Sequence, residues 1–212
     1  MNFASFINDL REHLRQPLPG HSAHDLMRAE PIGRWRPKLD HKTPPRPGAV
    51  LILLYPEDGI VKFPLIRRAT YAGAHSGQIS LPGGKAEAGE TVVETALREA
   101  EEEIGLDRSQ AEVLGALTEF FVIASNFTVT PIVAAMHGPI VFKPDPYETA
   151  GIIYGDLFDL LREEAVLKKE ILAAGQYRMM APHFEIEGEV VWGATAMMLN
   201  ELRVILKDVS TD

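Results

Sequence analysis

Three carboxylates dominate the chemistry open to this chain. Glu99, Glu102 and Glu103 stand at positions i, i+3 and i+4, so on a helix they share one flank, roughly 5–6 Å apart. There they repel one another, and near the end of a helix the macrodipole disfavours them further. A divalent cation resolves the conflict: Mg²⁺ takes hard oxygen ligands and needs only a few carboxylates beside water and substrate oxygens. A solvated acidic face is the bland alternative, and three glutamates alone favour it. Glu94 and Glu101, on the opposite flank, read as solvated.

What precedes the glutamates shifts that balance. Residues 82–90, PGGKAEAGE, form a glycine-rich loop leading into the same helix. Glycine permits close backbone approach to a ligand, and a loop of this kind beside a metal-binding helix suits a phosphate chain.

The helix that must carry these groups is marked at both ends. Thr91 and Glu94 have the spacing of a capping box, and Gly105 sits where a C-terminal glycine belongs. Between them Val93, Ala96, Leu97, Ala100 and Ile104 fall on one apolar face. Upstream, residues 3–16 carry Phe3, Phe6, Ile7, Leu10 and Leu14 at helical spacing, stopped by Pro17, Pro19 and Gly20. Residues 21–47 read as an irregular arm. Apolar runs on either side of Glu57-Asp58-Gly59 predict a hairpin. Strands are expected at 111–123, 127–136 and 150–154, a helix at 156–172 with Leu157, Leu160, Leu161 and Ile171, and a second hairpin turning at Glu187-Gly188. A last helix is expected over 193–206. The mixed order favours an α+β domain, an α/β/α sandwich with a mixed sheet, over a doubly wound parallel sheet. One domain is expected at 47–212, preceded by an N-terminal helix and arm at 1–46.

Composition limits the partners. The chain has 212 residues, 46% hydrophobic and 24% charged, with a net charge of −9. That field opposes binding to nucleic acid and equally repels a free phosphorylated metabolite, so an anionic substrate needs local positive charge or a metal. Cysteine is absent, which removes thiolate nucleophiles and zinc–sulfur sites. No apolar run is long enough to span a membrane, and the N-terminus lacks the uninterrupted apolar core of a secretory signal. A cytoplasmic protein is expected.

At nine positions this region resembles the Nudix box, G-x5-E-x7-R-E-U-x-E-E-x-G-U: Gly84, Glu90, Arg98, Glu99, Ala100, Glu102, Glu103, Gly105 and Leu106 fit it. The resemblance implies a loop–helix–loop that binds Mg²⁺ or Mn²⁺ in an α/β/α sandwich, and hydrolysis of a nucleoside diphosphate linked to another group. It implies Glu99 and Glu103 as primary metal ligands and Glu102 as a further ligand or water-orienting group. Arg98, read as lying on the outer side of the helix, is implied to make an orienting salt bridge to a box glutamate. Glu90 is expected to hold the loop or reach a metal indirectly. A general base drawn from a distant loop would be Glu148, with Glu119 second. The family is compatible with a homodimer.

Residues 67–84 further resemble the motif of coenzyme A pyrophosphatases. Arg68, Ala69, Gly77, Pro82, Gly83 and Gly84 fit, and residues 125–131, 144–148 and 192–196 look similar as well. Pro64, Ile66 and Leu81 depart from that motif, and Gly73 stands where it has a second arginine. The likeness implies coenzyme A or acyl-CoA as substrate, cut to 3′,5′-ADP and 4′-phosphopantetheine. Arg68 would grip a phosphate, with Arg67 compensating for Gly73. His75 and Gln78 would read the adenine or 3′-phosphate or else brace the loop, and Gly83 and Gly84 would border the phosphate chain. The alternatives are another diphosphate (ADP-ribose, NADH or a dinucleoside polyphosphate) and a non-catalytic ligand-sensing module of the same family.

Overall fold

Residues 49–55, AVLILLY, are apolar without a break, which a strand tolerates only when both faces are covered. The computed structural model describes residues 2–33, 41–69, 77–138, 140–173 and 175–209. The chain runs α1 (Phe3–Leu14), α2 (His21–Asp25), β1 (Glu30–Pro31), β2 (Arg46–Glu57), β3 (Ile60–Arg68), β4 (Ile79–Ser80), β5 (Gly83–Lys85) and α3 (Val92–Ile104). It continues through β6 (Glu112–Ala116), β7 (Phe120–Val122), β8 (Phe127–Ala135), β9 (Thr149–Asp156), β10 (Leu167–Ala173), β11 (Tyr177–Ile186), β12 (Glu189–Trp192) and α4 (Gly193–Val209).

The apolar run is the middle of β2, which pairs in parallel with β8 and antiparallel with β3 and β5. Its side chains alternate between two cores, as the strand period requires. Ala49, Leu51, Leu53 and Tyr55 face Ala96, Ala100 and Ile104 of α3. Ile52 and Leu54 face the opposite layer, where Phe6, Ile7 and Leu10 of α1 pack with Leu199, Leu202 and Leu206 of α4. The result is the expected sandwich, helices on both faces of a mixed sheet ordered β4-β3-β2-β8-β6. A smaller sheet, β1-β11-β10 with β12 on β11, leads into α4.

Both hairpins form at the expected residues. Asp58 and Gly59 (φ 51° and 79°), like Glu187 and Gly188 (φ 50° and 79°), take the left-handed pair that a tight two-residue hairpin needs. The expected strand at 111–123 is two strands, β6 and β7, both on β8. They separate where the Leu117 amide turns to the carbonyl of Pro131. The expected helix at 156–172 is replaced by two short 3-10 turns, Asp159–Leu161 and Glu163–Ala165, and by strand β10. Arg162 breaks the helix with extended backbone (φ −59°, ψ 143°). Arg203 of α4 reaches across to hold the Leu160 and Arg162 carbonyls at 2.5 and 3.1 Å. The 21–47 arm contains the short α2 and β1. Among the described residues no helix is long and apolar enough to cross a membrane.

Candidate active site

Helix α3 is anchored at both ends. Thr91 Oγ1 accepts from the Glu94 amide at 3.2 Å, while Glu94 accepts from the Thr91 amide at 2.8 Å. Gly105 closes the other end in the left-handed region at φ 69°. A distant segment then docks on that end: the amides of Lys143 and Asp145 donate to the carbonyls of Ile104 and Glu103 at 2.8 and 3.2 Å. Three residues on, the Glu148 carbonyl accepts from the Ala69 amide. These contacts bring Glu148 into electrostatic range of the helix.

The two adjacent glycines are demanded by contact. β5 lies on β2 with Gly83 beside Val50 and Gly84 beside Ala49. A Cβ on Gly83, whose φ is 150°, would lie 2.3 Å from the Ala49 carbonyl oxygen. A Cβ on Gly84 would lie 2.5 Å from the carboxylate of Glu99. The bare backbone therefore makes room for a carboxylate, as a close-approach role for glycine requires.

Glu103 is 4% exposed and accepts from the Gly83 amide at 2.8 Å. Burial pushes its carboxyl up to about 7; the Gly83 amide and the Arg68 guanidinium oppose the rise, and Glu99 and Glu148 add to it. Burial likewise raises Glu99, against its hydrogen bond from Arg98, with Glu102 and Glu148 adding to the rise. Glu99, Glu103 and Glu148 thus form one interacting acidic group, with Arg68 as the neighbouring cation.

Glu102 is the exposed member beside that group and shares Arg98 with Glu99. Its carboxylate accepts from Arg98 Nη1 at 2.9 Å, and its side chain is 51% exposed. Arg98 is not on an outer face: its side chain is only 16% exposed and folds over the loop. It donates to both oxygens of Glu90 at 2.7 and 3.0 Å, to Glu99 at 3.0 Å and to the Lys85 carbonyl at 3.1 Å. The Arg98 guanidinium holds Glu90 down at about 2, with the Glu87 amide assisting. Among the described residues no three acidic or histidine side chains converge closely enough to cage a cation by themselves. The donor set is nonetheless one of hard carboxylate oxygens. Partly buried Glu99 and buried Glu103, each disfavoured by desolvation and by the other acids, suit a doubly charged ion that completes its shell with water and substrate.

Arg67 and Arg68 alternate across β3. Arg67 is paired at 2.5 Å with Glu189 of β12, whereas Arg68 acts on Glu103. The Gln78 carbonyl accepts from the Arg68 amide at 3.1 Å. Glu119 is exposed in the turn before β7 and does not figure among the charges acting on Glu99 or Glu103. His75 and Gly73 lie outside the described residues. His183 is buried against the Ala181 carbonyl. Sequence reasoning gave no role to Ser80, which lies in the Gly77–Ser80 stretch of the motif, or to Thr149; the hydroxyls of both are buried on the strands beside Arg68. No sequence spacing marks them, because their neighbourhood is made by strand pairing.

Residues 45–148 match the NUDIX domain family model. An uncharacterized Nudix hydrolase NudL of Yersinia enterocolitica is 36% identical over 140 residues, covering 65% of this chain and 70% of that one. A NudL of Yersinia pestis is 34% identical over 170 residues, covering 74% and 78%. Among solved structures, the Nudix hydrolase RenU of M. smegmatis aligns with a TM-score of 0.53 at 18% identity, covering 80% of this chain and 88% of that one. A MutT/nudix family protein from Enterococcus faecalis aligns at 0.51 and 14% identity, covering 83% and 66%.

Proposed function

The chain belongs to the Nudix hydrolase family, and from that premise we propose that it is a cytoplasmic enzyme hydrolysing the diphosphate linkage of coenzyme A or an acyl-CoA. The products would be 3′,5′-ADP and 4′-phosphopantetheine or its acyl form. The observation that carries the diphosphatase reading is partly buried Glu99 and buried Glu103 against the bare backbone of Gly83 and Gly84, with Arg68 alongside. The coenzyme A reading adds the motif likeness of residues 67–84.

In this mechanism Glu99 and Glu103 would hold Mg²⁺ or Mn²⁺, with Glu102 as a further ligand or water-orienting group. When bound, the ion polarises phosphoryl oxygens and acidifies water at the site. The chain's own residues do the rest. Arg68 grips a phosphate through paired N–H donors, and Arg98 keeps the loop and Glu99 in register. Glu148 takes the proton from the attacking water. The water oxygen forms the new bond to one phosphorus, the P–O bond to the bridging oxygen breaks, and that oxygen leaves on the other phosphate. Arg67, paired with Glu189, would have to give up that partner to reach substrate.

A panel of coenzyme A, acetyl-CoA, ADP-ribose, NADH and a dinucleoside polyphosphate, each with Mg²⁺, Mn²⁺ or chelator, tests the reading. Coenzyme A is expected to be cut only with metal, releasing 3′,5′-ADP. ADP-ribose turnover far above that of coenzyme A would overturn the subfamily assignment. No metal-dependent turnover of any member would favour a ligand-sensing module.

A further inference from the structure

Five buried side-chain polar atoms lack a hydrogen-bond partner among the described residues: His24 Nδ1, Arg68 Nε, Ser80 Oγ, Asn126 Oδ1 and Thr149 Oγ1. Such groups are rare because their lost hydration is not recovered. Three of the five lie on β3 or on the strands that flank it. Thr149 is the cross-strand partner of Arg68 in the β3–β9 pair. Ser80 is the partner of Ile66, two residues before Arg68 on the same strand. The register shift beside Arg68 skips Ala150 on β9, so β3 keeps its own alternation, and Ile66 and Arg68 point to the same face. Ile66 belongs to the core under α3, and Arg68 acts on Glu103. All three atoms therefore lie on the sheet face that carries the acidic group.

All three can act as donors at once. The Arg68 Nε–H can only donate, and both hydroxyls have a proton to give. Thr149 is 3% exposed, so its hydroxyl has no recourse to bulk water. What is missing is an acceptor, and the guanidinium charge favours an anionic one. We propose that Thr149 Oγ1, Ser80 Oγ and Arg68 Nε form a donor set that receives phosphate oxygens of the substrate, Ser80 and Thr149 from opposite sides of β3. The proposal rests on the diphosphatase reading and extends it by making Thr149 and Ser80 substrate-binding residues.

Thr149→Val keeps the shape and removes the hydroxyl; Ser80→Ala does the same at the second position. Removing a hydroxyl that bonds to protein lowers stability, whereas removing an unpartnered one leaves stability unchanged or raises it. Calorimetric titration with methylenediphosphonate in Mg²⁺ reads binding without turnover. We expect both variants to melt at or above the wild-type temperature and to bind the diphosphonate about tenfold more weakly, the scale of a lost hydrogen bond to a charged group. Thr149→Ser should restore affinity. Unchanged affinity in both Thr149→Val and Ser80→Ala would overturn the proposal, as would a lowered melting temperature with affinity intact. Should Thr149→Val fail to fold, Ser80→Ala makes the same comparison. Failure of the wild type to hydrolyse any diphosphate would sink the functional reading instead, and the titration would still decide the donor set.

Discussion

An added methyl group separates the roles of two neighbouring glycines. In Gly83→Ala it meets the Ala49 carbonyl, a backbone atom, at a φ of 150°, so the variant should lose about 3 kcal/mol of stability in a denaturant melt. In Gly84→Ala it meets the end of the Glu99 side chain, which can swing away. That variant should keep a near-wild-type melt while turnover falls at least about tenfold, the cost of misplacing one catalytic group. Glu103→Gln removes a buried carboxyl but leaves an oxygen for the Gly83 amide. It should fold as well as wild type, or melt higher because no charge need be buried, with metal-dependent turnover reduced to background. The acids, the glycines and Arg68 were legible as residue types at fixed spacing. The greater exposure of Glu102 beside Glu99 and Glu103 was not, because i, i+3 and i+4 specify a shared flank and leave open which carboxylate the loop covers.

At the scale of elements, local chemistry predicted what local contacts build. The capping box, the αL glycine after α3 and both hairpin turns are decided within a few residues, and they appear where Thr91, Glu94, Gly105, Asp58-Gly59 and Glu187-Gly188 put them. The error at 156–172 has the opposite origin. Leu157, Leu160 and Leu161 have helical spacing, but Arg203, some forty residues onward, fixes the carbonyls of Leu160 and Arg162, and β11 recruits residues 167–173 as a strand. Lys168, Lys169 and Glu170 hide that strand by interrupting its apolar alternation. The loop before α3 depends on Arg98 in a similarly non-local way. Arg98→Ala leaves Glu90, Glu99 and Glu102 without their shared cation and should cost about 2 kcal/mol, below the value for a fully buried pair. Arg98→Lys should recover less than half of that, since an ammonium cannot reproduce the guanidinium fork. Chemical melts of the two variants check both expectations.

Across the whole molecule, one buried polar cluster ties the N-terminal segment to the catalytic domain. Glu201 of α4 is 0% exposed and accepts from His24 Nε2 at 2.8 Å, from the Gly20 amide at 3.1 Å and from Thr118 Oγ1 at 2.6 Å. Asn200 adds a bond to the Ala23 carbonyl. Burial alone would raise the Glu201 carboxyl, but His24 and Thr118 more than offset it and the net shift is downward. A carboxyl depressed in the folded state contributes stability above its unfolded pKa, about 4.3, and loses it as pH falls through the lower folded value. Wild-type stability should therefore decline below about pH 4, and Glu201→Ala should lose about 3–5 kcal/mol at neutral pH and show a smaller decline in acid. Thermal melts from pH 3 to 8 measure both. No spacing rule announces this cluster, since its members come from residues 20–24, 118 and 201.

On the proposed mechanism Glu99 and Glu103 hold a divalent cation where the diphosphate binds. Calorimetric titration of Mn²⁺ into wild type, Glu99→Gln and Glu103→Gln addresses it directly. We expect the wild type to bind the ion and each variant to bind it at least about tenfold more weakly. Equal affinity in all three proteins would contradict the claim.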